Sequence, residues 1–207
     1  MNNRTKLSLI AAFFILISCS VKTLKEHYVL SYLPDPAQNE KYKSAKIPFD
    51  FRVEVQNFEM NRIYDRNSIV IRESLHKLSY DKTNEWALRP DKGIPELLVY
   101  HINSLNLFKE CKIDFLSDNP DFYISGMISN LEIYKSEIAT FAHVKIFFEF
   151  RDSSRNILIR HIIDKKAELV KPDISFFIKT VSDVLKAETD MFLLKIVDYL
   201  KTHAGDD

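Results

Sequence analysis

The side chains able to do bond chemistry are two cysteines, six histidines and scattered hydroxyls and carboxylates, and only one of them stands in a telling context. Cys19 directly follows Leu16-Ile17-Ser18 at the end of an apolar run. A thiol there suits alkylation: as a thioether it can carry a diacylglyceryl group, while the small Ser18 lets a peptidase reach the bond before Cys19. The second thiol, Cys111, is flanked by Glu110 and Lys112 and reads as a packed small hydrophobe. The histidines at 27, 76, 101, 143, 161 and 203 include no His-Glu-x-x-His pair. His101 falls on the apolar face of a helix and reads as a hydrogen-bonded core histidine. His143 and His161 are placed to face each other across neighbouring strands, a weak zinc signal with no Cys or carboxylate pair to complete it. No Gly-x-Ser-x-Gly nucleophile motif occurs. Glycine at only 93, 126 and 205 excludes a phosphate cradle or a dinucleotide fingerprint. No catalytic residue, metal or cofactor is expected.

The segment that positions Cys19 begins with Arg4 and Lys6 and continues as an apolar run from Leu7 to Ile17, broken only by Ser8. A basic start, a short apolar stretch and a small-residue end outline a secretory signal. The run is too short to span a bilayer, which takes about 20 apolar residues. With Cys19 at its end it resembles the lipobox of bacterial lipoproteins, cleaved between Ser18 and Cys19 and lipidated on Cys19. An ordinary cleaved signal with an incidental cysteine is the other reading. Removal of residues 1–18 takes Arg4 and Lys6 away, so 29 basic against 29 acidic residues become 27 against 29. Acyl chains on Cys19 would then hold the chain at a membrane without any basic patch. Ser20 rather than Asp after the cysteine resembles the pattern sent on to the outer membrane. Residues 19–26 form a lipidated tether and 27–207 a single domain.

Near-neutral charge without basic clusters argues against nucleic acid. Along the domain, His27 to Tyr32 reads as a first strand, closed by Pro34-Asp35-Pro36. Phe49, Phe51, Val53 and Val55 alternate with polar residues as in a half-buried strand. Tyr64-Asp65-Arg66 lies in a turn, and Ser68 to Leu78 reads as one strand. Asp81 to Asp91 reads as a polar crossing that carries Trp86. A helix starting between Pro90 and Pro95 places Ile94, Leu97, Leu98, His101, Ile102, Leu105 and Phe108 on one face. A short strand with Ile113 and Phe115 inward follows, then a turn at Asp118-Asn119-Pro120-Asp121. Phe122–Tyr134, Thr140–Arg151 and Asn156–Leu169 form an antiparallel meander, with a bulge near Ser129-Asn130 where the apolar phase slips. Asp173 caps a last helix that runs to about Lys201. The expected fold is α/β (α+β): one mixed sheet with flanking helices, the meander preceding a long C-terminal helix.

Phe51-Arg52-Val53-Glu54-Val55, followed by Tyr64-Asp65-Arg66-Asn67-Ser68-Ile69-Val70-Ile71-Arg72, resembles the auxiliary lipoproteins of ABC-type transport systems, of which the paraquat-inducible lipoproteins are one branch. Tyr28-Val29-Leu30, Tyr80, Trp86-Ala87 and the helix from Pro95 are similar to the family in order and spacing. Glu85, Leu88, Arg89 and the long loop after Pro34 depart from it. The resemblance implies a non-enzymatic periplasmic component, anchored by lipid. Its partners would be a mammalian-cell-entry-type substrate-binding protein and its permease and ATPase, which move phospholipids or other hydrophobic molecules between membranes. Tyr64 and Arg66 are the expected partner contacts, being a loop pair of types common in hot spots. Read blandly, the same turn is solvated and closed by Asp65. Trp86 either caps the core edge or meets a partner. An alternative function is a structural or assembly lipoprotein of the envelope.

Overall fold

In the computed structural model of this chain, residues 24–35, 42, 48–116 and 119–203 are described. Ser18 and Cys19 lie outside them. One mixed sheet is organised along β7 (Phe122–Lys135), the longest strand. Its full length pairs with β8 (Thr140–Asp152), which in turn pairs with β9 (Ile157–Glu168), both antiparallel. Along the other side of β7, three strands run parallel to it in succession. These are β2 (Phe49–Val55), the two-residue β3 (Glu59–Met60) and β4 (Ser68–Ser74). β5 (Lys77–Trp86) returns antiparallel to β4, and β1 (Glu26–Tyr28) adds in parallel to β5. β6 (Phe108–Lys112) extends the β2 side in parallel.

The meander follows from strict alternation. Ala142, Val144, Ile146, Phe148 and Phe150 are all buried on one face, and the register of β7 against β8 shifts between Ile128 and Asn130, where the apolar phase slipped. The β8–β9 turn is closed by Asp152, whose Oδ1 accepts the Asn156 amide at 2.8 Å. Arg155 takes a left-handed φ of 71° there.

Helix α1 (Pro90–Ser104) opens on a proline and carries a second one inside, Pro95. Pro95 has no N–H for the carbonyl of Asp91 four residues earlier. That carbonyl instead accepts the Phe58 amide at 2.9 Å, which ties the β2–β3 connection to the helix. Helix α2 (Ile174–His203) begins where Asp173 Oδ1 accepts the Phe176 amide at 2.9 Å. It packs on β8 and β9, while α1 packs on β2 and β6, both on the same apolar sheet face.

Several expected boundaries move. Strand β1 ends at Tyr28, and Leu30 and Tyr32 reach the core from irregular backbone. The strand expected from Ser68 to Leu78 is a hairpin, turning at Leu75-His76, and the expected polar crossing is β5. β5 faces water along much of its length, so its apolar alternation is weak. Asp81 kinks it by accepting the Thr83 and Asn84 amides, both at 2.9 Å. Phe108 opens β6 rather than closing the helix; Cys111 points into the core and Ile113 packs half-buried against it, while Phe115 is half-buried beyond the end of the strand. Burial pushes the Cys111 thiol up to about 12.

Candidate functional site

Helices α1 and α2 lie on one face, and among the described residues the opposite face of the sheet is covered only where the Asn61–Asn67 turn folds onto it. Direct cross-strand pairing lines up one row of side chains on this outer face: Tyr80, Val70, Glu132, His143 and Lys166. Glu132 is the centre of the row and is fully buried. Its Oε2 accepts the Tyr64 hydroxyl at 2.7 Å, and its Oε1 takes Arg72 Nε at 2.7 Å and His143 Nδ1 at 3.0 Å. Asn130 Nδ2 donates to the Tyr64 oxygen at 2.8 Å. A turn and two strands therefore converge on one carboxylate of β7.

Burial alone would raise the Glu132 pKa, yet the bonds from His143, Arg72 and Tyr64 outweigh it and hold the carboxyl at about 2. Burial and the bond to Glu132 push Tyr64 up to about 12. Held that far below neutral by three donors, the Glu132 carboxylate is a weak base near neutral pH. The cluster pins structure. Arg72, Asn130, Tyr134 and His143 line a shallow cavity of about 390 Å³ above it, and a second of about 390 Å³ opens between Gln56, Met127 and Arg160. Met127 and Phe147 line the second cavity and, with Ile162 opposite Phe147, form a short apolar strip.

The residues expected at a partner surface separate by burial. Tyr64 is 3% exposed and turned inward, so its hydroxyl serves Glu132 and it offers little surface of its own. Arg66 is exposed, with its guanidinium carbon 3.8 Å from the centroid of the Tyr80 ring. Asp65 does not close its own turn: it pairs with Arg89 at 2.6 Å, and Arg89 also holds Asp91 at 2.7 Å. Trp86 is 5% exposed and its ring packs 6.3 Å from that of Phe177 on α2, at the core edge. The surface the structure presents around this turn is thus the Arg66–Tyr80 stack. Tyr80 appeared in the sequence only as part of a spacing, since nothing local marks it as the platform for Arg66.

His143 and His161 do not face each other. β8 alternation sends His143 to the outer face, whereas His161 pairs with Phe148 on the inner one. Among the described residues, no group of three or more His, Cys, Asp or Glu is placed to hold a metal ion. His161 is buried under α2, with Nε2 2.7 Å from Glu188 and Nδ1 2.9 Å from Lys195 Nζ. His101 is buried too, as expected, with Nδ1 3.4 Å from the Tyr32 hydroxyl and Nε2 3.0 Å from Asp190. Both histidines fasten α2 to the rest of the core.

No family model matches the chain, and no curated protein matches it in sequence. Solved structures share its fold. XCC0632 from Xanthomonas campestris, a protein of the family DUF330, superposes with a TM-score of 0.71 over 87% of this chain and 99% of its own, at 11% identity. An uncharacterised protein superposes with a TM-score of 0.65 over 84% of this chain and 99% of its own, at 13% identity. At such identities the likeness is one of fold.

Proposed function

We propose that this chain is a lipid-anchored lipoprotein of the cell envelope that serves an ABC-type transport system as an auxiliary component. It acts by binding a mammalian-cell-entry-type partner and does no chemistry itself. The observation that carries the reading is the order along the chain: a lipobox ending at Cys19, a short tether, then a domain with the DUF330 fold. The Glu132 carboxylate, engaged by three donors and weakly basic, supports a binding rather than a catalytic role for the outer face. Among the described residues no helix is long and apolar enough to cross a membrane, so in this reading attachment falls to Cys19. Its periplasmic, outer-membrane placement rests on Ser20 following that cysteine. The cargo is a phospholipid or another hydrophobic molecule.

The partner contact is assigned to Arg66 on its Tyr80 platform, because Arg66 is exposed where Tyr64 is buried and an Arg–Tyr pair has hot-spot character. Arg66→Glu with Tyr80→Ala, in the lipidated protein, is expected to weaken co-purification with the mammalian-cell-entry protein. A hot-spot loss of about 2 kcal/mol corresponds to roughly 30-fold in affinity. Undiminished co-purification removes this stack from the interface. Full transport in a strain lacking the protein sinks the auxiliary role, and capture of outer-membrane proteins in place of the transporter favours an assembly lipoprotein.

A further inference from the structure

Three turns close the sheet at one end, and each holds a large aliphatic side chain in water. Leu75 in the β4–β5 hairpin is 79% exposed, Ile138 in the β7–β8 turn 94%, and Val170 between β9 and α2 85%. The strand register brings them to the same end. β4 runs parallel to β7 with Arg72 opposite Tyr134, and Ser74 pairs with Lys77 across its hairpin. Lys135 at the end of β7 lies opposite Thr140, whose carbonyl accepts the Leu169 amide at 2.8 Å. One exposed aliphatic side chain is ordinary on a protein surface, but three on neighbouring turns give this end of the sheet an apolar rim.

The chain also enters the domain from that end. β5 runs away from the turns, and β1 runs parallel to it with Glu26 opposite Asn84. The residues before β1, Leu24 and Lys25, therefore lie toward the turns. Cys19 precedes Glu26 by seven residues, and Lys77 at the turn precedes Asn84 by the same seven. An extended chain covers about 3.3–3.6 Å per residue, so tether and strand both reach roughly 24 Å. A fully drawn-out tether takes Cys19 level with Leu75 and hardly beyond.

We infer that this end of the sheet docks on the surface of the bilayer that holds Cys19, with Leu75, Ile138 and Val170 seated at the boundary between headgroups and acyl chains. The inference rests on the lipid anchor proposed above. Charge is not what draws the surface down. Lys77, Lys135, Lys166 and Lys171 are balanced there by Glu73, Glu137, Glu168 and Asp173. The lysine stems can lie along apolar surface while their ammonium groups stay among the headgroups. Contact made in this way persists in high salt, unlike the attachment of a polybasic patch, which is screened.

The test uses the full lipidated protein in phosphatidylcholine–phosphatidylethanolamine vesicles, with an environment-sensitive fluorophore on Leu75→Cys, Ile138→Cys or Val170→Cys. Ser154→Cys, in the β8–β9 turn at the opposite end, is the control. Cys111 is buried and does not compete for the label. Acyl-chain-brominated lipid is expected to quench all three end labels at least about twofold more than the control, equally at low and high salt. Equal or absent quenching at the three positions in protein that floats with the vesicles overturns docking and leaves the anchor standing. Shielding of those labels from aqueous iodide without quenching by brominated lipid puts a protein on this end instead, which also overturns it. Failure of the wild-type protein to float, or flotation of Cys19→Ala to the same extent, removes the anchor and docking together.

Discussion

The ring of Phe58 occupies the space in which a Cβ on residue 126 would stand, with Cε2 only 2.5 Å from that position. Gly126 lies opposite Phe148 in β8, and the Phe58 and Phe148 rings are 5.5 Å apart. The connection from β2 to β3 runs along the edge of β7 and lays the Phe58 ring over that strand at its one residue without a side chain.

Gly126→Ala should therefore destabilise the domain, although alanine is the smallest change available. Phe58 is hemmed in by Phe148, and its amide is tied to the Asp91 carbonyl, so the ring cannot swing away freely. Overpacking of this kind costs about 1–3 kcal/mol. A lower denaturant midpoint with an unchanged slope is the expected result, and an unchanged midpoint would show that the connection yields.

Glu132 makes the fold sensitive to acid. Its carboxyl is depressed in the folded state to about 2 from an ordinary value of 4.5. The stability it contributes is thus fully present above about pH 4.5 and is lost as pH falls toward 2. A shift of that size corresponds to about 3 kcal/mol. Glu132→Gln should flatten the acid limb of a stability-against-pH curve measured between pH 5 and 2. Its stability at pH 7 should also be lower, because Arg72 and His143 then face a neutral amide. An acid limb as steep as in the wild type would place the sensitivity elsewhere.

How much of this was legible depended on whether partners were close in sequence. The meander, its bulge near Asn130 and the Asp173 cap follow from local alternation and local hydrogen bonds, and they stand where expected. β5 was not legible because its stabilising pairs are with β4 and β1 while its own side chains look toward water. Tyr64 read as a surface residue because Glu132, which draws it inward, is 68 positions away. The buried stretch Glu188-Thr189-Asp190 interrupts the apolar face of α2 for the same reason. His161, Tyr32 and His101, which engage it, come from distant elements.

Trp86→Ala tests the core-edge placement. The indole closes the gap between the end of β5 and Phe177 on α2, so its removal leaves a cavity under the helix. Buried tryptophan truncations cost about 3–5 kcal/mol. Thermal unfolding should shift down markedly, and since the ring has almost no exposed surface, co-purification per folded molecule should be unchanged. An unshifted melting temperature with lost partner binding would return Trp86 to the interface.

The pairing of His161 with Glu188 gives a second pH dependence, in a different window. Burial holds the imidazole pKa below its ordinary 6.5; Glu188 opposes that shift and Lys195 adds to it. The Lys195 ammonium donates to Nδ1 at 2.9 Å, which leaves the proton of the neutral ring on Nε2 to donate to Glu188 at 2.7 Å. Protonating Nδ1 breaks the first bond and sets two cations against each other. A group whose folded pKa is depressed contributes stability that is present above the unfolded value and lost as pH falls below it. The fold should thus weaken from about pH 6.5 downward, well before Glu132 titrates. His161→Leu removes this step but strands Glu188, so its stability at pH 7 should fall. Lys195→Met keeps the His161–Glu188 bond and removes the repelling cation, so the folded-state pKa rises back toward 6.5 and the step should shrink. Urea unfolding at intervals from pH 8 to 4.5 resolves both variants. A wild-type curve flat through that range, or a Lys195→Met step as large as the wild type's, would show that α2 is not held to β9 by the neutral form of this histidine.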